Sequence, residues 1–496
     1  MPFWRVTRWS RVLAFGLVFH FALEAGAKPV EETWDSVYLA GSKIGYVHTT
    51  VDEITEGNRK LLRIHVDTQH TIRRYGQTIE LAVRYLFYES PEGELVRFDN
   101  RMRISAREIH TTGEVFGDVL RVQMHTPEKV EQKEIPWDGS VKGLYWQEQV
   151  LRRKPLRPGD TQSFRTFLPD INKLCTMTLS AGDLEDVSLL RGTRRLLRVV
   201  TTNDALPGLK TASWVDETGE TLKTHTDALG GMVTYRTTRE EALAKPKELP
   251  ADLGLSTMVR LSKPLKNGLE TREVVYRVVL SGANPADVFP SDERQRLARQ
   301  PDGSYFLTVR HLKADGGLGP VDPVPEEFRA ANGFVQSDNV NVVKLAREAV
   351  GDAKEPWEQA LRLERWVHEQ MKVEELGVGF ATAAEVAETR SGDCTEHAVL
   401  LAALARAVGI PSRVAVGLLY VAQAQGFGYH MWTEVFVGGR WLPLDAVLGR
   451  GFVGGAHIKL ADSSLRGVSA SATFAPVLRV VGKLQLDLVS SQPAPE

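Results

Sequence analysis

The chain has 496 residues. This is too long for one ordinary hydrophobic core and suggests about three domains. Hydrophobic residues make up 43% and charged residues 25% of the sequence, which is typical of a folded globular protein. The formal net charge is −2, without the basic excess that marks most nucleic-acid-binding proteins. We therefore expect no nucleic-acid partner.

The N-terminus has the pattern of a secretory signal. Three arginines and an apolar segment at residues 12–23 precede the small residues Ala-Gly-Ala at 25–27, as at a signal-peptidase site. We predict a signal peptide over residues 1–27 and an exported protein, either periplasmic, bound to the cell envelope or secreted. An uncleaved anchor is the alternative, although the run is shorter than the roughly 20 residues of a membrane-spanning helix. No second run of that length follows, so no stable membrane span is expected after cleavage.

Residues 28–240 show short alternating segments separated by turn residues. A hairpin is predicted around Gly41, and further strands at 63–67, 81–87 and 196–200. This pattern predicts an N-terminal antiparallel β domain. Lys, Glu and Pro then accumulate without periodicity up to residue 253, which indicates a linker.

A small β-rich domain is predicted at residues 254–330, from strand patterns at 274–278 and 305–309. The last segment, 461–496, is predicted to contain a C-terminal strand and a tail. Between these two segments the apolar period changes to that of a helix from about residue 338, and a second helix is predicted to open at Pro356. A third domain is predicted over residues 338–460, and it contains the candidate catalytic residues described next.

A candidate nucleophile lies in the segment RSGDCTEH, residues 390–397. Cys394 stands directly before an Ala- and Leu-rich run that favours helix. The unpaired backbone N–H groups and the positive dipole end of a helix N-terminus favour a thiolate over a thiol. Cys394 is therefore predicted to be reactive.

A histidine and an aspartate follow on two predicted strands. The strand with His430 runs to a Gly438-Gly439 turn, and the next strand ends at Asp445. Counting outwards from the turn places His430 and Asp445 near the open end of one hairpin, where contact is expected. Cys394, His430 and Asp445 are the candidate nucleophile, base and orienting carboxylate.

Several residues have a competing structural interpretation. A disulfide between Cys175 and Cys394 would silence the proposed nucleophile, although Cys175 fits a buried strand position at 174–179. Glu396, His397 and Trp432 are interpreted as cap, packing and strand residues. His457 is interpreted as structural.

The order helix-Cys, strand-His, strand-Asp resembles the transglutaminase-like superfamily of papain-type cysteine enzymes. The segments that carry the resemblance are 382–386, 392–394, 409–413, 430–434 and 441–445. It covers about residues 340–460 and implies an α+β fold, in which a helix-borne cysteine packs on an antiparallel sheet in a papain-like transglutaminase core preceded by β-rich domains. It also implies that Cys394 accepts the acyl group, that His430 acts as base and then acid, and that Asp445 orients the imidazole.

The resemblance implies an exported cysteine enzyme that attacks a carboxamide or peptide carbonyl of a protein or peptide substrate through a thioester. The acyl group then passes to water, as in an amidase or protease, or to an amine. We predict no cofactor and no metal, because the calcium sites of the animal enzymes are not recognisable. A catalytically inactive envelope scaffold or binding protein is the alternative. The oligomeric state and the second oxyanion-hole donor stay open.

Overall fold

A computed structural model of the chain describes residues 29–74, 76–105, 107–126, 129–227, 231–246, 252, 254, 257–314, 323–373, 380–468 and 470–493. The predicted signal peptide, residues 1–27, lies outside the described residues. None of the helices in the described ranges combines the length and the apolar character that a membrane crossing needs.

The N-terminal part forms one sheet of fifteen strands. These are β1 (Glu31–Leu39), β2 (Ser42–Glu56), β3 (Arg59–Arg74), β4 (Gln77–Glu89), β5 (Leu95–Ile104), β6 (Arg107–Phe116), β7 (Val119–His125), β8 (Val130–Pro136), β9 (Val141–Lys142), β10 (Thr161–Leu168), β11 (Lys173–Ser188), β12 (Thr193–Asn203), β13 (Thr211–Val215), β14 (Thr221–Thr226) and β15 (Met232–Thr237). The strands lie in the order β8 to β1, then β15 to β9, so β1 pairs with β15. All neighbours are antiparallel except β9 and β10.

The alternation of apolar and polar residues, together with turn-forming residues between the segments, accounts for this sheet. The predicted hairpin is confirmed, since β1 pairs with β2 across the turn at Ala40 and Gly41. Val37, Leu39 and Ile44 meet in a buried cluster, while polar neighbours alternate with them on the other face. The strands predicted at 63–67, 81–87 and 196–200 lie within β3, β4 and β12 and are also confirmed.

The predicted linker is wrong at its start. Helix α1 (Trp146–Arg153) lies between β9 and β10, and a second short helix, α2 (Arg239–Leu243), follows β15. The side chain of Thr238 caps α2 by accepting a hydrogen bond from the Glu241 N–H. This capping makes a helix from residues whose lack of apolar periodicity suggested a linker.

Eleven further strands lie in the described part of the chain beyond α2. These are β16 (Val259–Arg260), β17 (Thr271–Leu280), β18 (Gln295–Arg299), β19 (Tyr305–Arg310), β20 (Lys372–Val373), β21 (Ser391–Gly392), β22 (Ser412–Val421), β23 (Gly426–Val437), β24 (Arg440–Leu444), β25 (His457–Ser463) and β26 (Leu484–Pro493). A four-stranded sheet has the order β18-β19-β17-β26, and a five-stranded sheet has the order β16-β23-β22-β25 with β24 beside β23. The predicted C-terminal strand therefore completes the sheet of the predicted small domain.

The helices of this part are α3 (Val340–Val350), α4 (Pro356–Gln370), α5 (Ala383–Thr389), α6 (Cys394–Ala407) and α7 (Ala470–Leu478). Asn339 caps α3, and Pro356 occupies the first position of α4 as predicted. Helix α6 packs on β22 and β23, where its small side chains permit close approach. The Thr433 hydroxyl donates to the Ala398 carbonyl at 2.9 Å.

One hydrophobic core joins both of these sheets and their helices, from Val259 to Leu486. We refer to residues 257–493 as the C-terminal region and to residues 29–246 as the N-terminal region. The bounds predicted for the separate domains stay a prediction. The segments 254–330, 338–460 and 461–496 nevertheless share this core, and the several sheets agree with the predicted α+β class.

The two regions touch beside α5. Arg107 on β6 pairs with Glu385 on α5 at 3.1 Å, and Glu131 on β8 accepts hydrogen bonds from the Gly333 and Gly467 N–H groups. A cavity of about 220 Å³ lies at this contact, lined by apolar residues such as Ile109 and by residues of both regions.

Candidate active site

A double hydrogen bond fixes the start of the helix that carries Cys394. The Asp393 carboxylate accepts from the Thr395 N–H at 2.8 Å, and the Glu396 carboxylate accepts from the Asp393 N–H at 3.0 Å. This is a capping box, and it makes Cys394 the first residue of α6. A Cβ on Gly392 would lie 2.4 Å from the Cβ of Glu396, so the residue before the cap has to be glycine.

Glu396 has a structural role. Its second carboxylate oxygen accepts the Ala381 N–H at 3.0 Å, which ties the segment before α5 to the start of α6. Burial, and next the charge of Asp393, raise the pKa of Glu396 well above its usual range. The interpretation of Glu396 as a cap agrees with this geometry.

His430 and Asp445, separated by 15 positions in the chain, meet as the hairpin count predicts. His430 Nε2 lies 2.7 Å from Asp445 Oδ2. Both side chains are buried, whereas Cys394 is only half-buried. Because Nε2 of His430 faces Asp445, Nδ1 is the nitrogen left for Cys394, whose side chain also hydrogen-bonds with this imidazole. The structure thus brings the three predicted residues together.

The electrostatics of the pair follow from burial and proximity. Burial alone lowers the pKa of His430, but the charge and hydrogen bond of Asp445 raise it to about 10, with a contribution from Cys394. Burial alone raises the pKa of Asp445, but His430 and then His457 hold it well below its usual range. The imidazolium and the carboxylate therefore stabilise each other at neutral pH.

A second histidine contacts the same carboxylate. His457 Nε2 lies 3.0 Å from Asp445 Oδ2, and the side chain is buried. Burial lowers the pKa of His457 to about 4, so this imidazole is neutral at neutral pH. The structural interpretation from the sequence overlooked this contact, because His457 lies on β25, beyond the segments that carry the resemblance.

The backbone around Asp445 is held from α4. Glu364 Oε1 accepts from the Asp445 N–H at 3.0 Å, and Oε2 accepts from the Gly451 N–H at 2.7 Å. Burial raises the pKa of Glu364 to about 7. Asp445 Oδ1 also accepts from the Val447 N–H at 3.0 Å, so the turn after β24 is anchored on both sides.

The other candidates lie where the structural interpretation placed them. His397 is buried and its Nδ1 lies 2.7 Å from the Asp393 carbonyl oxygen. Trp432 is buried beside the rings of His430 and His457, at centroid distances of 6.3 and 5.4 Å. Cys175 is buried on β11, and both cysteines are free thiols, so the alternative of a disulfide is wrong.

His430, Asp445 and His457 are also close enough together to hold a metal ion, since one ligand atom from each lies within 4.8 Å of the others. Two imidazoles and a carboxylate are zinc-type ligands. Here, however, both imidazole nitrogens already hydrogen-bond to a single carboxylate oxygen, which accounts for the arrangement without an ion.

Comparisons with known proteins agree with the geometry. The family model of the transglutaminase-like superfamily matches residues 343–446, which include all three predicted residues. No curated protein is similar enough to this chain to count as a match.

Among solved structures, a protein from Cytophaga hutchinsonii named as a candidate cysteine protease is 17% identical, covers 45% of this chain and 91% of its own, and has a TM-score of 0.30. A protein of a domain of unknown function from Brucella abortus is 11% identical, with coverages of 42% and 96% and a TM-score of 0.31. A candidate protease from Parabacteroides distasonis is 12% identical, with coverages of 72% and 68% and a TM-score of 0.20. These scores are too low to carry an argument. The match over residues 343–446 confirms, for this segment of the chain, the resemblance to the transglutaminase-like superfamily that the sequence predicted.

Proposed function

We propose that the protein is an exported cysteine enzyme that cleaves a carboxamide or peptide bond through a thioester on Cys394. The observation that carries this proposal is the buried His430–Asp445 pair, 2.7 Å apart, with Cys394 beside the imidazole at the start of a helix. A nucleophile, a base and an orienting acid within hydrogen-bond reach are the requirement for this chemistry.

The first half-reaction uses these groups in turn. The Cys394 thiolate attacks the carbonyl carbon, and the electron pair of the C=O bond moves to oxygen. The Cys394 N–H is the first oxyanion donor in this proposal, because a backbone N–H at the first helical position has no partner within the helix. The intermediate then collapses, and the C–N bond breaks while His430 gives its Nδ1 proton to the leaving nitrogen. The products are a thioester and ammonia or an amine.

The second half-reaction returns the enzyme to its first state. Neutral His430 removes a proton from water or from an amine, and the nucleophile attacks the thioester carbonyl. The C–S bond breaks, which regenerates the thiolate and the imidazolium. Water gives an amidase or protease, and an amine gives an acyltransferase. The degree to which the site excludes water decides between them.

The N-terminal region is proposed to contribute to substrate binding or to shield the site. Its support is the contact beside α5, where Arg107 pairs with Glu385 and the cavity of about 220 Å³ lies. Ala381 lies between two residues that line this cavity, Phe380 and Thr382, and its N–H donates to Glu396, which caps the helix of Cys394. Deleting the N-terminal region should then reduce turnover on a protein substrate more than on a short peptide.

The reaction is tested by measuring three possible products with the wild-type protein and with the Cys394→Ala variant. Glutamine-containing peptides are incubated with and without a biotin-labelled alkylamine. Released ammonia, new peptide N-termini and incorporated biotin are then measured. Ammonia alone indicates an amidase, new N-termini a protease and biotin an acyltransferase. In each case the Cys394→Ala variant should lack the product.

The alternative, an inactive scaffold or binding protein, predicts none of the three products from either protein. It also predicts that Cys394 reacts with iodoacetamide at neutral pH no faster than Cys175 does in unfolded protein. That combination would exclude the enzyme proposal. Export is tested separately by the mass of the mature protein, which should begin at Lys28.

A further inference from the structure

We propose that His457 is a positioning residue of the same site, a fourth member that holds the Asp445 carboxylate through Oδ2, the oxygen that His430 also contacts. This inference rests on the proposed function. His457 lies outside the segment that matches the superfamily model, residues 343–446. It therefore adds to what the match itself covers.

The hydrogen bonds of Asp445 determine its orientation. Oδ2 lies 2.7 Å from Nε2 of His430 and 3.0 Å from Nε2 of His457, and Oδ1 accepts from the Val447 N–H at 3.0 Å. A carboxylate oxygen can accept two donors. With three donors on two oxygens, rotation of the carboxylate breaks bonds on both sides, so the group is held in one orientation toward His430.

The charge states suit this role. His457 is buried and neutral, because burial holds its pKa low. Its single N–H has to reside on Nε2 in order to donate to Asp445. A neutral donor stabilises the carboxylate without a competing positive charge. The negative charge of Asp445 thus remains available to the imidazolium of His430.

The sheet brings the two imidazoles to the same point. His430 on β23 and His457 on β25 flank β22, where Gly417 is opposite His430 and Leu419 is opposite His457. The ring centroids are 5.9 Å apart. A Cβ on Gly417 would lie 2.0 Å from the Ile458 carbonyl oxygen and 2.9 Å from the Trp432 ring. The missing side chain on the central strand therefore lets Trp432 and both imidazoles lie on one face.

A residue of the other sheet fixes the strand of His457. Arg294, directly before β18, is buried and donates from Nη2 to the carbonyl oxygens of His457 at 2.6 Å and Gly454 at 2.9 Å. The four-stranded sheet thus contributes to the site through the backbone of His457.

The titratable groups around Asp445 are few among the described residues. Besides the two histidines on β23 and β25, they are Cys394 and His397 on α6 and Glu364 and His368 on α4, with Arg294 behind His457. A purely structural His457 would affect stability alone. A positioning His457 also affects the pH dependence of the reaction, because loss of a donor to the charged form raises the pKa of a carboxyl group.

Variants in a Cys175→Ala background test this inference, since Cys394 is then the only thiol. His457→Phe keeps the ring and removes the donor. His457→Gln carries an amide nitrogen at a reach similar to that of Nε2. His70→Phe is the matched control, because burial also lowers the pKa of His70 to about 4, but this residue lies on β3 in the N-terminal region. Steady-state rates and the rate of Cys394 alkylation by iodoacetamide are measured from pH 4 to 10, with thermal melting as the check of folding.

We expect His457→Phe to lower kcat by about tenfold to a hundredfold with little change in KM, as for the loss of a hydrogen bond to a charged group. The acid limb of both pH profiles should move to higher pH. His457→Gln should restore most of the rate, and His70→Phe should leave rate and profile unchanged. If His457→Phe does not fold, His457→Asn replaces it, because its shorter amide does not reach Asp445.

Profiles of His457→Phe that overlay those of the Cys175→Ala background would overturn the inference. Equal losses for the Phe and Gln variants would also overturn it, since the donor would then be irrelevant. Failure of the proposed function is seen separately. In that case the Cys175→Ala background itself has no turnover, and its Cys394 reacts no faster than an unfolded thiol.

Discussion

The N-terminal and C-terminal regions each bury a carboxyl group, but the pKa is raised in one region and lowered in the other. Glu89, at the end of β4, has one oxygen hydrogen-bonded to the Tyr145 N–H at 3.2 Å and the other without a partner, and burial raises its pKa to about 8. Asp445 is equally buried, but two imidazoles hold its pKa well below the usual range. Burial alone neutralises a carboxyl group, and only the partners placed around it preserve the charge.

The two cysteines also differ in their surroundings, one in each region. Burial raises the pKa of the Cys175 thiol to about 11, which keeps it protonated in the middle of a sheet. Cys394 is half-buried at the start of a helix, beside the imidazole of His430. The chain thus carries an inert and a candidate reactive thiol, and this pair offers the sharpest test of the contrast.

The largest effect is expected for Cys394→Ala. Removal of the nucleophile should reduce turnover of a responsive peptide by at least about 10³-fold, because the residues of such a site act as a unit. Cys175→Ala should leave turnover unchanged, since its thiol contacts no group of the site. Initial rates of both variants provide the measurement. Comparable losses for the two cysteines would contradict the distinction between the regions.

The next largest effect is expected for Asp445→Asn, with a loss in kcat of about 10²-fold to 10⁴-fold. Without the carboxylate, the pKa of His430 falls from about 10. The imidazolium is present only below this pKa, so the alkaline limb of the rate profile should move to lower pH. Asp170→Asn is the control, because this N-terminal carboxyl accepts from the Tyr85 hydroxyl at 2.8 Å and lies outside the site. An unmoved alkaline limb in Asp445→Asn would count against the charge pair.

A smaller effect, on stability, is expected for Glu89→Gln. The pKa of Glu89 is raised from 4.5 to about 8, so the folded protein binds this proton more tightly than the unfolded chain does. Its contribution to stability is present below the unfolded value and is lost as the pH rises through 8. At pH 9 the variant should be more stable relative to wild type than at pH 5, by up to about 4 kcal/mol. Urea unfolding at the two pH values measures this difference, and a constant offset would refute it.

The same substitution in the C-terminal region should behave differently. Burial raises the pKa of Glu364 to about 7, but its two oxygens accept the N–H groups of Asp445 and Gly451. Glu364→Gln replaces one acceptor by a donor and should lower kcat as well as alter the pH dependence of stability. Glu89→Gln should leave kcat unchanged. Equal rates for the two variants would show that the loop after β24 needs no support from α4.

Local sequence signals predicted much of the site. The capping residues around Cys394, the proline at the start of α4 and the Gly438-Gly439 turn each act within a few residues of the chain. The hairpin then brings His430 and Asp445 together by counting alone. These features could be predicted because their causes are local.

The features that the sequence could not predict depend on distant pairing. His457 reaches Asp445 only because β22 lies between β23 and β25 and carries glycine at position 417. Arg294 meets His457 from another sheet, and β26 pairs with β17 about two hundred positions earlier in the chain. None of these pairings can be predicted from a periodic pattern in the sequence. Each depends on how elements that are far apart in the chain pack against one another.

The smallest effect on activity is expected for two buried threonines, one in each region, that make the same kind of hydrogen bond. Thr433 on β23 donates to the Ala398 carbonyl at 2.9 Å, and Thr166 on β10 donates to the Lys142 carbonyl at 2.9 Å. Both residues are fully buried. Replacement by valine keeps the shape and removes the donor, at a cost of about 1 kcal/mol of unfolding free energy in either region. Chemical denaturation of the two variants measures this loss.

The two valine variants should differ in their rates. Thr433 connects the strand of His430 to the helix of Cys394, so its loss loosens the spacing between base and nucleophile, whereas Thr166 connects two strands far from either. We expect Thr433→Val to lower kcat by a few-fold and Thr166→Val to leave it unchanged at equal cost in stability. Since both variants lose the same bond, a difference in rate can arise only from where that bond lies. Equal rates would mean that the helix and the strand are held in register by their apolar contacts alone.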